Sequence, residues 1–243
     1  MIARLNLFWG GGLDLILPPV CPACRGATAH SQALCARCWS EIRFIEPPVC
    51  PIYGTPFEHD LGSGALSAES LADPPPFRRA RAAAKYDDVA RTLVHRFKYN
   101  DRPELAAFLA TSMVRAGREL FPDCSLVIPV PLHNRRLWKR RFNQAAVLAA
   151  EIARATGLPW DPLVLKRVKP TPQQVGLTAS QRELNVRGAF QVSPSRQESI
   201  AGRHLLLVDD VYTSGATLKA ATRALLKGGA ASVDVLTFAR VLR

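Results

Sequence analysis

From about residue 80 onward the chain alternates between short apolar runs and stretches whose apolar residues recur at helical spacing. Residues 81–86 predict a first strand, and Val89, Leu93, Val94 and Phe97 fall on one helix face. A polar loop, 98–102, separates them from Leu105, Phe108, Leu109, Met113 and Leu120, which mark a second helix. Residues 126–131 read as a strand ending in prolines. A basic loop or helix start (132–141), an alanine-rich helix (142–155) stopped by Gly157, and a short strand at 163–165 follow. Leu205, Leu206, Leu207 and Val208 show no polar alternation, as expected of a strand covered on both faces. Leu218 to Lys227 is helical until Gly228-Gly229 stops it, and 233–238 is a last strand. This order predicts an α/β domain with a mostly parallel sheet flanked by helices.

Outside that region the pattern changes. Residues 1–20 predict a short amphipathic helix (Leu5, Phe8, Leu13, Ile16, Leu17) halted by Pro18-Pro19 and packed on a neighbouring domain. Glycines and prolines with little periodicity fill 54–80, which places a boundary there. The expected division is an N-terminal helix and cysteine module at 1–60, a linker at 61–79 and the α/β domain at 80–243. Residues 166–188 are polar and basic with no sustained apolar period, as a lid over a ligand would be.

A hydrophobic content of 48% and a mean hydropathy near zero suit a soluble globular protein. The apolar stretch 13–20 is interrupted by Asp14 and too short to cross a bilayer, and no cleavage site follows a cationic start. A cytoplasmic protein without a membrane span is the expectation. The net charge of +12 favours an anionic partner: polyphosphate, nucleic acid or acidic lipid. Five of the seven residues from Arg135 to Arg141 are basic, which suits either an anion site or a plain solvated helix face.

Two Cys-x-x-Cys pairs, Cys21/Cys24 and Cys35/Cys38, stand ten residues apart. Four thiolates so spaced close a tetrahedral Zn²⁺ site, and with all four places filled the site is structural. A redox pair is the competing reading, but no thioredoxin-like βαβ pattern surrounds these residues. Cys50 and His59 lie nearby, and nothing in the pattern requires them as ligands.

The stretch richest in chemistry follows the buried strand at 205–208. Asp209 and Asp210 stand at its C-terminal end, then Thr213, Ser214, Gly215, Ala216 and Thr217 turn into a helix. Ligands of open α/β sheets bind at such strand ends, and N–H groups and hydroxyls at a helix N-terminus suit a phosphate. Adjacent carboxylates suit sugar hydroxyls or a hydrated Mg²⁺. The bland alternative is an ordinary turn with an Asp cap; strand, acid pair, turn and helix in immediate succession weigh against it. The stretch resembles the signature of type I phosphoribosyltransferases, which bind phosphoribosyl pyrophosphate (PRPP). The Gly-rich loops of other nucleotide folds are absent.

With the two cysteine pairs, 93–99 (Leu-Val-His-Arg-Phe-Lys-Tyr), 129–136 (Pro-Val-Pro-Leu-His-Asn-Arg-Arg), 142–145, 171–174, Arg182, Asn185 and 187–190, the chain resembles the ComF family, named for competence protein F, over about residues 10–240. The resemblance implies a phosphoribosyltransferase-type twisted, mostly parallel sheet with a small N-terminal four-cysteine zinc module. It implies that Asp209 and Asp210 hold ribose hydroxyls and Mg²⁺ and that 213–217 cradle the 5′-phosphate. His133, Arg135 and Arg136 would meet pyrophosphate, with Arg167 and Lys169 on the closing lid. The family commonly carries a further Cys-x-x-Cys, where this chain has Cys50-Pro-Ile-Tyr53 and lacks the second thiol. Purine-salvage enzymes place an Asp base where this chain has Thr213, so transfer to a purine by that route is not expected. Three readings follow: Mg²⁺-dependent phosphoribosyl transfer to an unidentified acceptor, linked to DNA uptake; a non-catalytic PRPP or nucleotide sensor; or a single-stranded DNA-binding component of natural transformation, with Trp138 and Phe142 as a stacking platform beside the basic run.

Overall fold

The computed structural model describes residues 19–28, 33–62, 64–99, 105–132, 142–169 and 179–242. Strands β1 (Ala80–Lys85), β2 (Leu126–Pro129), β5 (His204–Tyr212) and β6 (Ser232–Arg240) make one parallel sheet in the order β1-β6-β5-β2. The long strands β5 and β6 run through its centre. Leu206, Leu207, Val208, Val233, Val235 and Leu236 are completely buried there, which is why no polar alternation marks them.

Each face of the sheet has its own cover. Helices α3 (Asp88–Tyr99), α4 (Leu105–Ala116) and α5 (Gln144–Thr156) bring Leu93, Phe97, Leu109, Met113, Leu148 and Ile152 against Leu206, Val208, Leu236 and Phe238. Helix α7 (Ala216–Lys227) lays Leu218, Ala221 and Leu225 on Leu205, Leu207, Val233 and Val235. Burying side chains of this kind stabilises the fold by roughly 1.5–3 kcal/mol each. Local signals set the ends: Asn143 caps α5 by accepting from the Ala145 N–H at 3.1 Å, and Gly157 ends it at φ +74°.

Several elements depart from the sequence expectation. β5 continues through Tyr212, so the two aspartates lie within the strand and not just beyond it. β3 (Leu165–Arg167) pairs antiparallel with β4 (Phe190–Val192) and forms a separate two-stranded sheet. The expected lid holds β3 and α6 (Ala179–Val186); its 170–178 portion lies outside the described residues. The amphipathic helix expected over 1–20 lies almost wholly outside them too.

The N-terminal module is built into these layers. Helix α1 (Ala36–Glu41) starts at Cys35, and Cys21, Ala23, Cys38 and Ile42 join the core on the α3–α5 face. Arg96 of α3 donates to the Pro22 carbonyl at 2.7 Å. Residues 43–45 then pair along the outer edge of β1, with Ile45 N–H on Ala83 O (2.9 Å) and Lys85 N–H on Arg43 O (2.8 Å). The stretch expected as a linker contains α2 (Ala68–Ala72), too short to register as a period in the sequence. Its Glu69 pairs with Arg240, and its terminal Asp73 with Lys219 at 2.5 Å.

Candidate functional site

The site grows from the C-terminal ends of β5 and β2 and the starts of α7 and α5. Gly215 begins α7 at φ +75°, a left-handed conformation that glycine adopts freely. A Cβ there would also overlap the Tyr212 phenol packed beneath the turn. No side chain caps α7, so its first N–H groups have no intrahelical acceptor. The Ser214 hydroxyl is buried and has no hydrogen-bond partner among the described residues. A buried hydroxyl without a partner beside a helix start suits an anion with several oxygens.

The carboxylates stand just upstream. Successive strand residues face opposite ways, and Asp210 meets Lys98 at the end of α3, 2.9 Å from Nζ to carboxylate. Asp209 accepts the Asp210 N–H at 2.9 Å. Burial first, and the Asp210 charge second, push Asp209 up to about 7; Lys98 and Arg167 pull the other way. Two close carboxylates, one of them already ion-paired with Lys98, are a donor set that a divalent cation such as Mg²⁺ fits. Lys98 itself is held from behind, because buried Gln144 donates to its carbonyl at 3.4 Å. Asn143 donates to Val130 O at 3.0 Å and so ties α5 to the end of β2.

Of the residues singled out from sequence, the structure brings together Asp209, Asp210, the 213–217 turn and Arg167. The Arg167 guanidinium lies 5.3 Å from the Phe190 ring centre and close enough to Asp209 to act on its charge. Lys169 instead donates to Arg187 O at 3.4 Å. His133, Arg135, Arg136 and the rest of the basic run through Arg141, Trp138 included, lie outside the described residues. Sequence reasoning passed over Lys98 as a member of a polar loop. Its place, one turn beyond buried Val94 on the same helix, was the available signal.

At the other end of the chain, the Sγ atoms of Cys21, Cys24, Cys35 and Cys38 all lie within 4.8 Å of one another. Tetrahedral zinc–sulfur bonds of about 2.3 Å need separations of about 3.8 Å, so small shifts suffice. Backbone N–H groups already point at the sulfurs: Ala23 to Cys21 at 3.4 Å, Gly26 to Cys24 at 3.3 Å and Cys38 to Cys35 at 3.5 Å. Burial opposes ionisation of Cys21, but backbone N–H groups outweigh it and bring the thiol down to about 6. The donor set fits a structural Zn²⁺. Cys50 and His59 belong to no potential metal-holding group among the described residues.

Sheet, strand-to-turn site and cysteine cluster together define a phosphoribosyltransferase-type domain carrying an N-terminal zinc ribbon. Residues 12–69 match the double zinc ribbon domain and residues 143–242 the phosphoribosyl transferase domain. The chain is 34% identical over 238 residues to the DNA utilization protein YhgH of Salmonella typhimurium, covering 94% of this chain and 100% of that protein. It is 30% identical over 226 residues to competence protein F of Haemophilus influenzae, covering 90% and 96%. The chain belongs to the ComF family. Among solved structures it is similar to the glutamine PRPP amidotransferase of B. subtilis at 20% identity and a TM-score of 0.37, over 58% of this chain and 29% of that one. Among the described residues no helix is long and apolar enough to cross a membrane.

Proposed function

We propose that this protein binds PRPP at the β5–α7 turn and transfers its phosphoribosyl group to an acceptor, in the setting of DNA use or uptake that its relatives' names describe. The carrying observation is the buried, unpartnered Ser214 hydroxyl at the start of an uncapped helix, directly after two carboxylates. Residues 213–217 hold the 5′-phosphate, and Asp209 and Asp210 hold the ribose hydroxyls. Mg²⁺, when bound, would supply positive charge to the ribose oxygens and the leaving pyrophosphate. Arg167 and Lys169, with His133, Arg135 and Arg136, are assigned to the pyrophosphate. In the transfer, the C1–oxygen bond to pyrophosphate breaks and an acceptor atom bonds to C1. This chain's part is to orient the sugar, to neutralise the departing charge and to exclude water.

Calorimetry with PRPP and Mg²⁺ tests the site. Asp209→Asn with Asp210→Asn should lower affinity at least tenfold, the loss expected from a charge-assisted contact of roughly 1.5–3 kcal/mol. Unchanged affinity in a folded variant would refute the assignment.

A second reading, single-stranded DNA binding without catalysis, is favoured by the basic run with Trp138 inside it. Five neutralised phosphates would give a salt slope near −0.7 each, roughly −3.5 overall. Arg135→Ala with Arg136→Ala should weaken PRPP binding, while Lys139, Arg140 and Arg141 changed to Ala should weaken DNA binding. Loss of DNA binding with intact PRPP affinity in the first pair favours this second reading.

A further inference from the structure

Residues 19–28 and 48–57 trace the same turn twice. In the first, Cys21 N–H donates to Gly26 O at 2.7 Å, Arg25 N–H to Cys21 O at 2.8 Å and Thr28 N–H to Pro19 O at 3.0 Å. In the second, Cys50 N–H donates to Thr55 O at 2.8 Å, Gly54 N–H to Cys50 O at 2.8 Å and Phe57 N–H to Pro48 O at 2.9 Å. Arg25 and Gly54 both take φ +66°, and the bridges Val20–Ala27 and Val49–Pro56 close the two turns alike. The other halves repeat as well. Cys35 caps α1 by accepting from the Cys38 N–H at 3.5 Å; Ser67 caps α2 by accepting from the Ser70 N–H at 3.4 Å. Both caps have extended backbones, at φ −66°, ψ 160° and φ −70°, ψ 153°. The ligand positions 21, 24, 35 and 38 therefore correspond to 50, 53, 67 and 70.

A double zinc ribbon implies a second metal, and the residues at those positions do not fit one. They supply one thiol, one phenol and two aliphatic hydroxyls, whereas zinc takes thiolate, imidazole or carboxylate. The inward groups already satisfy one another. Cys50 Sγ lies 3.0 Å from Ser70 Oγ and accepts the Ser67 N–H at 3.4 Å, and the two hydroxyls lie 3.0 Å apart. Tyr53 has left the ligand space. Its ring is buried edge-on against Phe77 and Tyr212, and its hydroxyl donates to Asp73 O at 2.7 Å.

We propose that the second ribbon folds without metal, its zinc replaced by the hydrogen-bonded cluster of Cys50, Ser67 and Ser70. A cluster whose two hydroxyls and sulfur hydrogen-bond one another holds two short backbone turns together, at much smaller free energy than a zinc centre.

Metal analysis of the full chain, purified with zinc present and no chelator, tests this. Wild type and Cys50→Ser should each retain one zinc per chain. Tyr53→Cys with Ser67→Cys and Ser70→Cys rebuilds a four-thiol set and should take up a second equivalent; with Co²⁺ its thiolate absorption should double. Should removal of the Tyr53 ring prevent folding, Ser67→Cys with Ser70→Cys retains it and should still gain a cobalt–thiolate band over wild type. Two zinc ions in wild type, or loss of its one zinc in Cys50→Ser, would overturn the proposal. Failure of both rebuilt variants, when folded, to bind extra metal would overturn the correspondence on which it rests.

Discussion

Lys98 Nζ lies 2.9 Å from the Asp210 carboxylate, so one of the two acids in the candidate site is already neutralised by a cation from the opposite layer. Lys98→Met should therefore leave a buried carboxylate unpaired and destabilise the protein by about 1.5–3 kcal/mol. Millimolar Mg²⁺ should restore part of that loss in the variant and change wild type less, because a divalent ion can take the place of the ammonium. Thermal melts of both proteins with and without Mg²⁺ check this; equal shifts in the two would remove Lys98 from the site.

Ser214 separates binding from stability. Its hydroxyl is buried without a partner, so Ser214→Ala should leave the unliganded protein as stable or slightly more so. The same change should weaken PRPP binding about tenfold, for one lost hydrogen bond to a charged oxygen. Melting temperature beside calorimetric affinity reads both effects. A destabilised variant with unaltered affinity would mean that the hydroxyl serves the fold.

Zinc removal should reach beyond the ribbon. Cys21 and Cys38 belong to the core on the α3–α5 face, and Arg96 holds the Pro22 carbonyl from α3. Chelation is expected to lower the melting temperature of the whole chain and to raise amide exchange in 88–99 as well as in 19–42. Exchange confined to the ribbon would show that the shared core contributes little.

Acid stability should respond to Asp234, which lies at the opposite end of the sheet from the turn. Burial would raise this carboxyl, but hydrogen bonds from Arg78 and Arg79, both as short as 2.7 Å, hold it below its ordinary value. A group depressed in the fold contributes stability above its unfolded pKa of about 3.9, and that contribution is lost as pH falls through the folded value. Asp234→Asn should thus cost about 2 kcal/mol at neutral pH, and the gap to wild type should close below about pH 4. Denaturant midpoints across that range measure it.

The order of strands and helices was legible because long buried runs and amphipathic helices leave strong periods. So was the acid pair with its turn, since strand, carboxylates, glycine and helix follow one another directly. Contacts between distant segments left no such trace. Lys98 reaches Asp210 across more than a hundred residues, and β3 and β4 are too short for their pairing to be read. The ribbon duplication did leave a mark: Pro18-Pro19-Val20-Cys21-Pro22 recurs as Pro47-Pro48-Val49-Cys50-Pro51. Its first half was legible as Cys50-Pro-Ile-Tyr53, a Cys-x-x-Cys short of one thiol; its second half was not, because Ser67 and Ser70 carry no thiol that such spacing counts.

Residues 43–45 lie along the outer edge of β1 and occupy the Ala83 carbonyl and the Lys85 N–H. A fragment beginning at residue 80 would present those groups to solvent on an apolar strand, ready to recruit an extended segment from another molecule. The amino-terminal part of the chain thus guards an open sheet edge of the part that follows, and separate expression of the two should yield self-association where the intact chain stays dispersed.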